Sequence, residues 1–339
     1  MMHDKRITRR RFMREGATTA AGLIVGVAGG CGRNVGVAGR RRISTSKIRN
    51  YNGDMEYRRL GKTGLMVSAV AIGGHSRADQ QEREKIIRRC LEVGINYIDS
   101  TGSGELHRDL KALGSQRDRV YLGLSETDRE PRNPQYRTAR KLLAVLDDAL
   151  RNAKLEYTDL WRITVYEPGG RHTFNTSCEV IEALEKAKKQ GKARCGGIAS
   201  HDRRWLKFMV EYFPQLDVVL FPFTTMSKAA PRDSLFDSLK KCDAGAFGIK
   251  PFAAGSLFTG RPQEDDRRAR LALRYIMHSN TVIPIPGISR AEQVDNVAKA
   301  VLERRQLDVE ERAELDALAG QSWASLPRHY QWLKDWEYV

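Results

Sequence analysis

Cysteine is scarce in this 339-residue chain: five residues, scattered, with no Cys-x-x-Cys pair. That excludes a disulfide framework and a cysteine-based zinc or iron–sulfur site, and no metal is expected. No uncharged run reaches the roughly 18 residues that a membrane-spanning helix needs, which excludes a multi-pass membrane protein. No Gly-x-Gly-x-x-Gly follows the first strand-like run, which weighs against an open, doubly wound dinucleotide-binding sheet. Acidic residues are in deficit, 42 against 58 Lys and Arg, for a net charge of +16. The excess is local: twelve of the basic residues and only two of the acids lie in residues 1–50, so ten of the sixteen net charges sit there. The body is only mildly basic and carries no nucleic-acid motif, so nucleic acid is not an expected partner. Hydrophobic residues at 41% suffice for a sizeable core and exclude a disordered chain.

The first fifty residues read as an address. Thr8-Arg9-Arg10-Arg11-Phe12-Met13-Arg14 closes a charged segment, and Ala17 to Gly30 is then uncharged, small and apolar. The stretch has the length of a signal h-region and is short for a span. The twin arginine, the apolar residue two places on and the weakly apolar stretch resemble a twin-arginine export signal. This implies the twin-arginine export machinery as a partner and an exported, periplasmic or otherwise extracytoplasmic protein. Gly26 and Ala28 form a small-x-small cleavage pattern, while Cys31 opens the alternative of a lipid anchor. The expected division is a signal at 1–31, a Gly-, Arg-, Ser- and Asn-rich linker at 32–54, and one domain at 55–339 with no membrane span in the mature protein.

From Met55 onward, apolar β-branched runs alternate with amphipathic stretches. The strand-like runs are 67–72, 96–99, 119–125, 159–165, 193–199, 218–222, 247–252 and 282–286. Helix-like stretches fall at 83–93, 105–113, 134–152, 178–190, 203–212, 234–241, 267–278 and 291–303, with a further helix near 309–320 and an aromatic tail after it. Eight strands alternating with eight helices predict an all-parallel sheet, and the length per unit fits a closed (β/α)8 TIM barrel. The tail's Trp332, Trp336 and Tyr338 are expected to pack across the barrel.

In such a barrel the chemistry sits where strands end. Five segments there, taken in order, are similar to the aldo-keto reductases. Tyr57 to Leu65 (YRRLGKTGL) resembles the family's N-terminal hairpin, and Gly94 to Ser100 (GINYIDS) its second strand. Gly191-Lys192-Ala193-Arg194 leading to Gly197-Ile198-Ala199-Ser200 resembles the fifth, Lys250 to Leu257 (KPFAAGSL) the seventh with its cofactor loop, and Ile285 to Arg290 (IPGISR) the eighth. The resemblance implies NADP(H)- or NAD(H)-linked reduction of a carbonyl on a small-molecule substrate. In that chemistry a Tyr donates the proton, a Lys lowers its pKa, an Asp holds the Lys and a His orients the substrate oxygen. The need is physical: a phenol of ordinary pKa near ~10 must become an acid near neutrality.

Against that pattern, Asp99 stands at the Asp position. The loop after it, Ser100-Thr101-Gly102-Ser103-Gly104-Glu105, is short and holds no Tyr; Ser125 stands at the expected Lys position and Thr164 at the expected His. Tyr97 matches a structural aromatic of the family and is no substitute. The resemblance puts the cofactor against Ser200, His201, Phe223, Lys250, Pro251, Gly255, Leu257, Gly287, Ser289, Arg290 and Asn296. Of these, Ser200 and His201 would meet the nicotinamide amide, Phe223 would stack, and Ser289 and Arg290 would take a 2′-phosphate.

Strand alternation aims Asp99 into the barrel, where, without a Lys, it needs another partner. Arg162 lies two residues before Thr164 and so shares its strand face. Arg162 or Lys250 is the expected partner, the bland alternative being an Arg162 that snorkels toward a helix. His107 is read as a surface residue, and Cys90, Cys178 and Cys195 as packing residues. Two functions stay open: an exported oxidoreductase of aldo-keto reductase type with an incomplete tetrad, or a barrel without catalysis that binds a ligand or partner. A sugar-hydrolysing barrel lacks a carboxylate pair at the strand ends.

Overall fold

The computed structural model describes residues 44–73, 78–166, 173–227, 232–303, 306–328 and 330–331. The expected signal, Cys31, Trp332, Trp336 and Tyr338 lie outside them. Eight parallel strands run in sequence order around a nearly closed (β/α)8 barrel. They are β3 (Ile72–Gly73), β4 (Tyr97–Ser100), β5 (Tyr121–Leu124), β6 (Thr158–Tyr166), β7 (Ala193–Ser200), β8 (Val218–Pro222), β9 (Gly245–Ile249) and β10 (Val282–Ile285). Between the first and last, the Ala71 N–H donates to the Pro284 carbonyl at 3.0 Å.

The run expected as one first strand over 67–72 is two elements. An antiparallel hairpin of β1 (Tyr57–Arg59) and β2 (Met66–Ser68) precedes β3. The hairpin brings Leu60, Leu65 and Val67 into the inner core beside Tyr97, Tyr121, Leu160, Val218 and Phe247. It plugs the barrel at the strands' N-terminal ends, where Lys62 N–H donates to the Asp243 carbonyl just before β9. A run that is apolar but for Ser68, with no Gly or Pro, cannot reveal such a change of direction.

Helices α1 (Gln80–Glu92), α2 (Ser103–Leu113), α3 (Ala139–Ala153), α4 (Phe174–Lys189), α5 (Arg203–Tyr212), α6 (Leu235–Lys241), α7 (Pro262–His278) and α8 (Ala291–Leu302) alternate with the strands, and α9 (Val309–Ser325) follows. Helix α3 shows how the sequence builds them. Thr138 caps its start by accepting from the Lys141 N–H, and Lys154 ends it in the left-handed conformation. Leu142, Val145, Leu146, Ala149, Leu150 and Ala153 recur at three- and four-residue spacing and are buried.

The described end of the expected linker is docked on the barrel. Asn50 donates its side-chain amide to the Ile95 carbonyl, and Asn52 donates to the Glu92 carbonyl. Arg49 reaches Asp159, which is fully buried at the start of β6 and also meets Arg117 and Arg194. Three guanidiniums on one carboxylate tie the segment before the barrel to β5, β6 and β7. No helix among the described residues is long and apolar enough to cross a membrane.

Candidate active site

Strand parity sorts the side chains. On β4, Tyr97 and Asp99 point inward while Ser100 turns out to bond Asp109 on α2. On β6, Leu160, Arg162 and Thr164 point inward and Trp161 and Ile163 outward. The inward residues at the strands' C-terminal ends open into a cavity of about 490 Å³, within the range of small-molecule sites. Asp99, Arg162, Thr164, Ser200, His201, Lys250, Pro251, Gly255 and Gly287 line it, with Arg132 from a loop and Tyr330 from the C-terminal segment.

The partner of Asp99 is Arg162. Its Nε donates to Oδ1 at 2.8 Å and Oδ2 at 3.1 Å, and its Nη2 to Oδ2 at 2.6 Å. Both residues are buried. Burial works against the charged guanidinium, yet the contacts with Asp99 prevail and hold its pKa above the ordinary value. An arginine does not give up its proton at neutral pH, so this pair is a fixed charged floor and not an acid. Lys250 turns elsewhere: its Nζ lies 3.1 Å from His201 Nε2. With Lys250 charged, Nε2 accepts and the imidazole proton sits on Nδ1.

Glycine makes room for the pair. Gly73 and Gly123 stand opposite Asp99 on the two neighbouring strands. A Cβ on Gly123 would lie 2.2 Å from the Tyr97 hydroxyl and 2.6 Å from Asp99 Oδ1. Gly123→Ala is therefore expected to cost about 1–3 kcal/mol in chemical denaturation, the usual range for an overpacked core. Tyr97 itself is no acid, because burial pushes its phenol well above the ordinary value.

Ser125 and Thr164 meet at the floor of the cavity, 3.1 Å apart through their hydroxyls. Both bond to Glu130, which sequence reasoning missed. Ser125 Oγ donates to Glu130 Oε2 at 2.8 Å, the Thr164 N–H donates to the same oxygen at 2.7 Å, and the Glu126 N–H donates to Oε1 at 2.8 Å. Glu130 is only 1% exposed, and burial raises its carboxyl to about 7, against the lowering effect of these bonds and of Arg162. It lies in a loop with the charged sequence Glu126-Thr127-Asp128-Arg129-Glu130, which carries no periodicity and reads as solvated.

The expected cofactor residues separate into two groups. Ser200, His201, Lys250, Pro251, Gly255 and Gly287 meet in the cavity. The loop after β9, which carries Lys250, Pro251 and Gly255, is unusual: Lys250, Ala253, Ala254 and Gly255 all take positive φ. Left-handed alanines are strained and cluster at ligand sites. At Gly255 nothing lies within 4 Å of where a Cβ would be, so the backbone there is open to approach.

The other expected residues do not join them. Phe223 follows β8 on its outward parity and packs against Phe221, Phe236 and Tyr275, so its ring is not offered for stacking. Leu257 is buried against Ala272 on α7 and Leu318 on α9. Asn296 links α7 and α8, accepting from Arg270 and donating to the Asp266 carbonyl. Ser289 N–H, its hydroxyl and Arg290 N–H all donate to Gln293 Oε1, and Ala291 N–H donates to Glu82. The turn expected to take a 2′-phosphate thus spends these N–H groups and the Ser289 hydroxyl on Gln293 and on Glu82 of α1. His107 is exposed on α2; Cys90 and Cys195 are buried, and Cys178 is half-buried against the core.

A parallel barrel with a cavity at its C-terminal mouth is the frame of many enzymes. The aldo/keto reductase family profile matches residues 68–270, more than half of the chain, and the chain belongs to that family. It is similar to an L-glyceraldehyde 3-phosphate reductase of Escherichia coli, 26% identical, covering 78% of this chain and 92% of the relative. An L-galactose dehydrogenase of Arabidopsis thaliana is 24% identical over 78% of this chain and 94% of its own. A solved aldo-keto reductase from Klebsiella pneumoniae in complex with NADPH superposes with a TM-score of 0.63 at 21% identity, covering 78% of this chain and 95% of that one.

Proposed function

We propose that this protein is an exported oxidoreductase of the aldo-keto reductase family. It takes NADP(H) or NAD(H) and a small carbonyl or sugar-like substrate in the cavity at the barrel mouth. One observation carries the reading: Asp99, Ser200, His201, Lys250, Gly255 and Gly287, expected from four separate chain segments, line one cavity. The relatives that act on a triose phosphate and on a hexose support the substrate class, and the NADPH-bound neighbour supports the cofactor.

When bound, the dinucleotide would supply the hydride. Ser200 and His201 would hold its nicotinamide end, and Lys250 with the open backbone at Gly255 its diphosphate. Gln293 holds the Ser289 hydroxyl and the Ser289 and Arg290 N–H groups, so a 2′-phosphate there would have to displace Gln293 or rely on the Arg290 guanidinium. The tetrad is incomplete in this reading, with Ser125 and Thr164 at the Lys and His positions and no Tyr after Asp99.

The test follows oxidation of each dinucleotide by a panel of small aldehydes, ketones and sugars. Turnover supports the proposal. Dinucleotide binding without turnover favours the alternative, a non-catalytic barrel that binds a ligand or partner. Export rests on Thr8 to Arg14 and the apolar stretch after it. Replacing Arg9 and Arg10 by lysine is expected to leave the protein in the cytoplasmic fraction, and unchanged export after that double substitution would end the twin-arginine reading. Cys31→Ala distinguishes a lipid anchor from simple cleavage by membrane retention.

A further inference from the structure

We infer that Glu130 is the proton store of the cavity, joined to bound substrate through the hydroxyls of Ser125 and Thr164. The inference rests on the reductase reading for its use and on the structure for its path. Glu130 Oε2, Ser125 Oγ and Thr164 Oγ1 form a chain of 2.8 and 3.1 Å, and Thr164 lines the cavity.

The chain can run in either direction. Both Glu130 oxygens accept a backbone N–H, from Glu126 and from Thr164. The carboxylate then has Ser125 as a donor and Thr164 donates to Ser125. When Glu130 is protonated, its O–H faces Ser125, Ser125 donates to Thr164, and the Thr164 O–H points on to the cavity. Hydroxyls carry one donor and two acceptor sites, so each supports both arrangements.

Carbonyl reduction needs a proton on oxygen as hydride from a dihydronicotinamide reaches carbon. The Thr164 hydroxyl gives its proton to the oxygen, Ser125 refills Thr164, and Glu130 refills Ser125. Glu130 ends as a carboxylate and regains its proton from water. The groups facing it suit this cycle. Arg162 on β6 is the near cation, neutralised by Asp99 behind it. On its own loop, the Glu126 carboxylate accepts from the Ser103 N–H, and Arg129 pairs with Asp148. A carboxyl held near 7 by burial is poised between the two states. Glu130 acts through Thr164 and does not touch the substrate.

The test uses the full-length protein in two arms. In the infrared arm, without cofactor, a buried carboxylic-acid C=O band is expected to titrate with a midpoint near 7. It should be absent in Glu130→Gln and shifted in frequency in Ser125→Ala. In the kinetic arm, the reductive kcat is expected to fall as pH rises through about 7. Glu130→Gln should lose about 10²- to 10⁴-fold at pH 6 and flatten the profile, with Thr164→Val and Ser125→Ala doing the same. Since Glu130→Gln replaces an acceptor, the folded Ser125→Ala variant keeps the arm decisive. A missing band, or variants that keep wild-type rates and pH profiles, overturns the inference. A titrating band that shifts in Ser125→Ala, in a protein that turns over no carbonyl, sinks the reductase reading and leaves the store standing.

Discussion

Arg162→Met is expected to lower the unfolding free energy by about 3–5 kcal/mol, the cost of leaving a buried carboxylate without its partner. Asp99 is 3% exposed and has three short contacts to this one guanidinium. Asp99→Asn should cost a comparable amount, because it strands a buried cation. The double variant is the sharper experiment. Removing both charges removes the desolvation cost as well, so Asp99→Asn with Arg162→Met should recover most of the loss, and urea denaturation of the four proteins measures the coupling. If Arg162→Met leaves stability unchanged while Asp99→Asn lowers it, the pair does not hold the barrel floor.

The second large effect is expected at the other end of the barrel. Asp159 is fully buried and bound by Arg49, Arg117 and Arg194, with the Leu122 N–H donating to it at 3.0 Å. Burial alone would raise its pKa, but the three arginines together overcome this and hold it at about 2. The folded state therefore favours the ionised form more than the unfolded chain does. The stabilisation is present above the ordinary carboxylate value near ~4 and is lost as pH falls through about 2. Asp159→Asn should cost about 3–5 kcal/mol at pH 7, release the segment around Arg49, and flatten the stability profile between those pH values. Hydrogen exchange at residues 49–52 reads the release directly. A variant as stable as the parent at pH 7 would show that the cluster adds nothing net.

What was legible in the sequence followed from period and parity. Seven of the eight barrel strands announce themselves as apolar runs, and parity alone put Arg162 and Thr164 on one face opposite Asp99. The hairpin strand β2 was hidden because Val67 to Ile72, apolar but for Ser68, carries no Gly or Pro to mark the change of direction. Phe223 shows the limit of matching by resemblance: the residue type fits a stacking ring, but its parity on β8 turns it into the aromatic cluster outside the barrel. Glu130 shows a different limit. Its burial comes from β5 and β6 folding over a charged loop, and no local pattern encodes that. Asn50 and Asn52 likewise look like linker residues until the helix and strand ends they bond are brought beside them.

The most direct test of the whole account is titration of NADPH and NADH into the purified full-length protein by isothermal calorimetry, before any substrate is sought. The account predicts saturable binding of at least one dinucleotide at micromolar concentration, weakened by Lys250→Ala. No heat at millimolar concentration of either would contradict it, and would mean that this barrel mouth serves a ligand other than a nicotinamide dinucleotide.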